Sequence, residues 1–128
     1  MGGMNIHLLL VDDEPTVLAA LHKYFAAAGL DVDCARELEE AEALIVTNNY
    51  DVVIADLRLS WSSVIEGLEV LRFIRRHSRQ THVIILSAHV SQDIRESADA
   101  LGADAFIPKP APLPYIAETV SRVLGRAL

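Results

Sequence analysis

The chain is short of cysteine, lysine, aromatic side chains and long apolar runs, and each shortage narrows what it can be. Its single cysteine, Cys34, excludes an internal disulfide and suits a reducing compartment. Set in a strand-like apolar run, that thiol reads by default as a small buried hydrophobe. No apolar stretch approaches the roughly 20 residues needed to span a bilayer as a helix. Met1-Gly2-Gly3-Met4 lacks the charged and apolar regions of a signal peptide, so the expectation is a soluble, cytoplasmic chain that does not engage a membrane. Positive charge is scarce too. Eleven Lys and Arg face 18 Asp and Glu, a formal charge of -7, which argues against a nucleic-acid surface of the chain's own. His7, His22, His77, His82 and His89 show no metal-ligand spacing and read as surface or partly buried histidines.

What remains is ample for one core: 128 residues, 52% of them apolar. Residues 1–5 read as a vector-derived or flexible N-terminus and residues 6–128 as a single domain. Strand-like runs alternate with helical stripes. Ile6 to Val11 is continuously apolar but for one histidine, as a strand covered on both faces would be. Pro15 to Ala28 carries Val17, Leu18, Leu21, Phe25 and Ala28 at helical spacing, with Gly29 as the stop. Asp31 to Ala35 is a shorter, more polar strand of edge type, and Glu37 to Asn48 is a helix with Leu38, Ala41 and Ile45 on its inner face. Asp51 to Asp56 is an apolar run, Val52 to Ala55, that terminates in an acid. Leu57 to Glu66 reads as a loop, Gly67 to Arg76 as a helix and Thr81 to Leu86 as a strand. Ser91 to Leu101 is a helix capped by Ser91 and stopped by Gly102, and Ala105 to Ile107 is a strand. Ile116, Val120, Val123 and Ala127 mark a final helix.

Such alternation predicts an α/β fold of flavodoxin-like type: a doubly wound, five-stranded parallel sheet of order 2-1-3-4-5 with helices on both faces. Ligands in these folds bind beyond the carboxyl ends of the strands, where the strand order reverses. Asp12 and Asp13 follow the first strand, Asp56 ends the third, Ser87 follows the fourth and Lys109 the fifth. Adjacent carboxylates repel one another, and a hard divalent cation with oxygen ligands, Mg²⁺ or alternatively Mn²⁺, is the usual remedy. Lys109 is one of only two lysines, so a compact point charge stands here in a chain that otherwise uses arginine.

These residues make the chain resemble a response-regulator receiver domain of two-component signalling, over essentially all of Ile6 to Leu128. The family's acidic pair matches Asp12 and Asp13, its phospho-accepting aspartate Asp56, its Ser/Thr switch Ser87, its aromatic switch Phe106 and its Lys-Pro pair Lys109-Pro110. The resemblance implies that Asp56 takes a phosphoryl group from a phosphohistidine on a sensor kinase or histidine phosphotransfer protein. Asp13, Asp56 and the backbone carbonyl of Arg58 would ligate Mg²⁺, with Asp12 acting through water. Lys109 and Ser87 would hold phosphoryl oxygens. Movement of Ser87 would free space for Phe106 and so alter the surface formed by the Ser91–Leu101 helix, the Ala105–Ile107 strand and the final helix. A cis Lys109-Pro110 bond would aim the ammonium inward. Partners would be the phosphodonor, an output domain or effector protein and, on phosphorylation, a second copy. The module would catalyse only its own phosphorylation and dephosphorylation.

The segment after Asp56 departs from the family pattern: it has no proline, carries Glu66 before the glycine and reaches Gly67 eleven residues on. Trp61 within it is either packed on a helix or exposed for a partner. Arg58 and His89, each two residues beyond a site residue, are candidates for tuning dephosphorylation. Two rival functions stand beside the signalling module. A small Mg²⁺-dependent aspartyl phosphohydrolase would need an acid two residues after Asp56 to protonate a leaving group, where Arg58 stands. A degenerate receiver would serve only for protein binding or dimerisation. Flavin binding is disfavoured, since no strand-end loop offers a Ser/Thr/Gly-rich phosphate cradle.

Overall fold

The five apolar runs pair as parallel strands in the computed structural model, which describes residues 5–56, 64–88 and 91–128, with backbone alone for 64–67. Strands β1 (His7–Val11), β2 (Asp31–Ala35), β3 (Val52–Asp56), β4 (His82–Ser87) and β5 (Ala105–Pro108) alternate with helices. These are α1 (Pro15–Ala27), α2 (Leu38–Thr47), α3 (Val64–His77), α4 (Gln92–Ala100) and α5 (Leu113–Leu124). The sheet runs β2-β1-β3-β4-β5, the doubly wound order expected, with the polar β2 on an edge.

Alternate strand residues feed two cores. Leu9, Val11, Val53, Ala55, Val83 and Ile85 meet Ala41, Ile45, Leu71, Ile74 and Ala98, so α2, α3 and α4 cover one face. Leu8, Leu10, Val52, Ile54, Ile84 and Leu86 meet Leu18, Leu21, Phe25, Ile116 and Val120, so α1 and α5 cover the other. A sheet buried on both sides needs no polar alternation, which is why these strands read as unbroken apolar runs. Burying each such Leu, Ile or Val contributes about 1.5–3 kcal/mol.

Most helix limits agree with the reading once caps are counted. Ser91 accepts the Ile94 amide at 3.2 Å, as an N-cap should. Two boundaries differ. α3 begins at Val64, so 64–66 are helical and not loop; Gly67 marks no start, because a helix absorbs one glycine for about 1 kcal/mol. α5 ends at Leu124, short of Ala127: Gly125 adopts φ 71°, its amide bonds Arg122 O, and the Arg126 amide reaches Ser121 O, closing a Schellman stop. Ala28 is exposed and lies just past α1, and Cys34 is half-buried on the edge strand, where burial and then the charges of Asp33 and Glu40 hold its thiol pKa up.

An arginine clasp that the periodicity does not reveal ties the lower end of the sheet. Arg75 donates through Nε and Nη2 to Gly102 O at 3.1 and 2.7 Å, and through Nη1 to Thr81 O at 2.5 Å. Nη2 also meets Asp104 Oδ2 at 3.0 Å, and that oxygen accepts the Val83 amide at 2.8 Å. Gly102 is doubly required: its φ is 96°, and a Cβ there would stand 2.8 Å from Arg75 Nε. Replacement of Arg75 by Ala takes a partner from the carbonyls of Ser78, Thr81 and Gly102 and from the Asp104 carboxylate, and is expected to cost about 2–3 kcal/mol in urea unfolding. The same change at exposed Arg76 should stay within about 0.5 kcal/mol.

Candidate functional site

Strand register sets the acids side by side. Val11 pairs with Ala55, so Asp12 and Asp56 are the next residues of adjacent strands. Asp56 in turn pairs with Leu86, and Ser87 with Pro108, which places Ser87 and Lys109 at the same carboxyl end. The Lys109 amide bonds Ser87 O at 2.8 Å, the Asp12 amide bonds Ala35 O at 3.0 Å, and the Lys109-Pro110 peptide is cis, as expected.

One carboxylate oxygen from each of Asp12, Asp13 and Asp56 lies within 4.8 Å of the others. Asp12 is 2% and Asp56 7% exposed, while Asp13 is half-buried. Asp12 Oδ1 accepts the Glu14 amide at 3.0 Å, which orients the carboxylate at the start of α1. Lys109 Nζ donates to Asp56 Oδ2 at 2.7 Å and to Asp12 Oδ2 at 3.1 Å. Burial pushes the Lys109 ammonium toward the neutral form, but the hydrogen bond and charge of Asp56, and then those of Asp12, outweigh it and hold its pKa above the ordinary lysine value.

Three carboxylates against one ammonium leave a formal charge of -2 in a largely buried site. Repulsion between carboxylates at such separations is on the order of 3 kcal/mol per pair at the effective dielectric of a protein. Donors that are all oxygen, and a residual charge of two, fit a hard divalent cation such as Mg²⁺ or Mn²⁺. A mostly apolar cleft of about 430 Å³ flanks the cluster between α1 and α5, bordered by Glu14, Val17, Leu86, Lys109 and Ile116.

The remaining sequence-read residues fall in two groups. Ser87 is fully buried at the end of β4, and Phe106 is half-buried on β5 against the core beneath α4. Phe106 pairs with Ile85, and Ser87 lies two residues beyond Ile85, so both occupy the sheet face that α4 covers. Arg58, Trp61 and His89 lie outside the described residues. Sequence reasoning missed one neighbour of the site: Arg95 of α4 sets its guanidinium 5.3 Å from the centre of the Phe106 ring. The two stand eleven positions apart in the chain, and no local pattern announces the pairing.

Residues 8–121 match the family model of the response regulator receiver domain. The chain belongs to that family. Over 116 residues it is 33% identical to the response regulator protein PilR of Pseudomonas aeruginosa, covering 91% of this chain and 25% of that protein. It is 30% identical over 123 residues to the response regulator MprA of Mycobacterium sp. (strain KMS), covering 96% of this chain and 52% of that one. The chain thus spans between about a quarter and half the length of these relatives. Its fold superposes on the non-phosphorylated HemR receiver domain of Leptospira biflexa with a TM-score of 0.87 at 27% identity, covering 97% of this chain and 98% of that one. Receiver domains are in general signalling modules and not enzymes. No helix among the described residues is long and apolar enough to cross a membrane.

Proposed function

We propose that this receiver domain accepts a phosphoryl group on Asp56 from a phosphohistidine of a sensor kinase or histidine phosphotransfer protein. The observation that carries the reading is the bridge from Lys109 Nζ to Asp56 and Asp12, beside an all-carboxylate cluster. A carboxylate oxygen of Asp56 attacks phosphorus while the P–N bond of the phosphohistidine breaks, and the electron pair leaves on the imidazole nitrogen. Asp56 becomes an acyl phosphate. Lys109, already 2.7 Å from Asp56 Oδ2, transfers its hydrogen bond to an incoming phosphoryl oxygen and neutralises charge there. Ser87, fully buried at the end of β4, supplies a hydroxyl for a second oxygen. Asp12, Asp13 and Asp56, with the Arg58 carbonyl, would hold Mg²⁺, which supplies charge neutralisation and a template for the phosphoryl oxygens when bound.

Occupation of Ser87 by the phosphoryl group frees Phe106 to turn toward it, since both lie on one face, and the α4-β5-α5 surface changes for an output domain, an effector or a second copy. This is regulation in the cytoplasm, with a single domain over residues 6–128 that does not itself contact DNA. The phosphohydrolase reading is weaker, because Arg58 stands where the leaving-group acid belongs.

Beryllofluoride with Mg²⁺ tests the reading. The chain should show a saturable fluorescence or NMR response that Asp56→Asn abolishes. A response that survives in the variant refutes Asp56, and silence of the unmodified chain favours the binding-only module. Mg²⁺ alone should raise the melting temperature by about 3–6 °C at tenfold excess over its Kd, an effect that Asp13→Asn removes.

A further inference from the structure

The Phe106 ring is the part of the proposed switch most open to solvent, and one cation covers it. Arg95 is exposed on α4, yet its guanidinium lies 5.3 Å from the ring centre, inside the roughly 6 Å reach of a cation–π contact. Its helix offers it a carboxylate at ion-pairing distance in sequence. Asp99 sits at i+4, the spacing of helical ion pairs, whereas Glu96, the next residue, lies on another side of the helix. Arg95 makes no ion pair with either or with any other described carboxylate, and Glu96 accepts instead from Gln92 Nε2 at 2.9 Å. Among the described residues, the aromatic face is the contact its guanidinium makes. A phenylalanine has no hydroxyl to anchor it at this surface, and the guanidinium is the cation that stands over the ring.

We infer that Arg95 is a positioning residue that latches Phe106 in its resting place and so sets how readily the domain adopts its activated form. The inference rests on the proposed switch. Ser87 and Phe106 share a sheet face, and in the proposed switch the ring turns from its place beside the guanidinium toward Ser87. The contact then exists in the resting state only, and a contact confined to one state biases the balance by its full strength. A cation–π contact at an exposed site alters that balance about two- to fivefold. Apparent affinity for any ligand of the activated form scales with the fraction already in that form.

The sign separates this latch from a simple field effect. Removing a positive charge near an anion site weakens anion binding through the field, whereas releasing the ring strengthens it. Arg95→Ala is therefore expected to bind beryllofluoride, in saturating Mg²⁺, about two- to fivefold more tightly than the unmodified chain by calorimetry. With 4-fluorophenylalanine incorporated, the fluorine signal of residue 106 should shift in the ligand-free variant toward its beryllofluoride-bound position. In a Phe106→Leu background, which offers no aromatic face, Arg95→Ala should lose its gain. Unchanged or weaker binding in Arg95→Ala, or an equal gain in the Phe106→Leu background, overturns the latch while leaving the phospho-acceptor reading intact. An unmodified chain indifferent to beryllofluoride overturns both.

Discussion

Asp56→Asn is expected to take up phosphoryl groups from acetyl phosphate at least about a hundredfold more slowly than the unmodified chain, because an amide oxygen is a poor nucleophile where a carboxylate is required. The fold should survive. Asn keeps the shape of the side chain, and its amide oxygen can still accept from Lys109, which now bonds Asp56 Oδ2 at 2.7 Å. Far-UV circular dichroism and the urea midpoint of the variant should stay near those of the parent. Loss of uptake with the fold intact assigns the chemistry to this carboxylate, and undiminished uptake would move the acceptor elsewhere.

Lys109→Met should produce the second large effect, on two observables of different origin. Removing a pre-placed charge from developing phosphoryl oxygens costs about 10²–10³ in rate. Taking one partner from a buried ion pair costs about 3–5 kcal/mol of stability, since Asp12 and Asp56 remain buried without their ammonium. The two should separate under Mg²⁺. A divalent ion compensates the carboxylates, so it should raise the melting temperature of Lys109→Met by more than it raises that of the parent. It cannot replace the ammonium at the phosphoryl oxygen, so the rate should stay low. Recovery of both would make Lys109 a charge balance alone, and recovery of neither would point to general damage to the fold.

The fold was legible because its determinants are short-range and periodic. The runs at Leu8–Val11, Val52–Ala55 and Val83–Leu86 are apolar on both faces, which only a covered parallel sheet accommodates. The acid cluster was legible for the same reason: parallel strands of known order end together, so Asp12, Asp13, Asp56, Ser87 and Lys109 had to converge. Features that depend on side chains meeting across the chain were not legible. Arg75 reads as a helix-end cation until its bonds to Gly102 and Asp104 are seen. Tyr50, the ordinary end of a turn in the sequence, gives its hydroxyl to Asp33 Oδ2 at 2.6 Å, and burial together with that bond raises its pKa. Arg95 over Phe106 belongs to the same class. Helix ends were misread where a single glycine had to be weighed, as a start at Gly67 and not as a stop at Gly125.

The most direct test of the account is to locate the phosphoryl group itself. The chain is treated with acetyl phosphate and Mg²⁺, the acyl phosphate is reduced with borohydride, and peptides are mapped by mass spectrometry. One modified residue, Asp56, is expected, with no modification when the metal is chelated. Modification of Asp12, Asp13 or another carboxylate in place of Asp56, or equal modification of Asp56 without metal, would contradict the account.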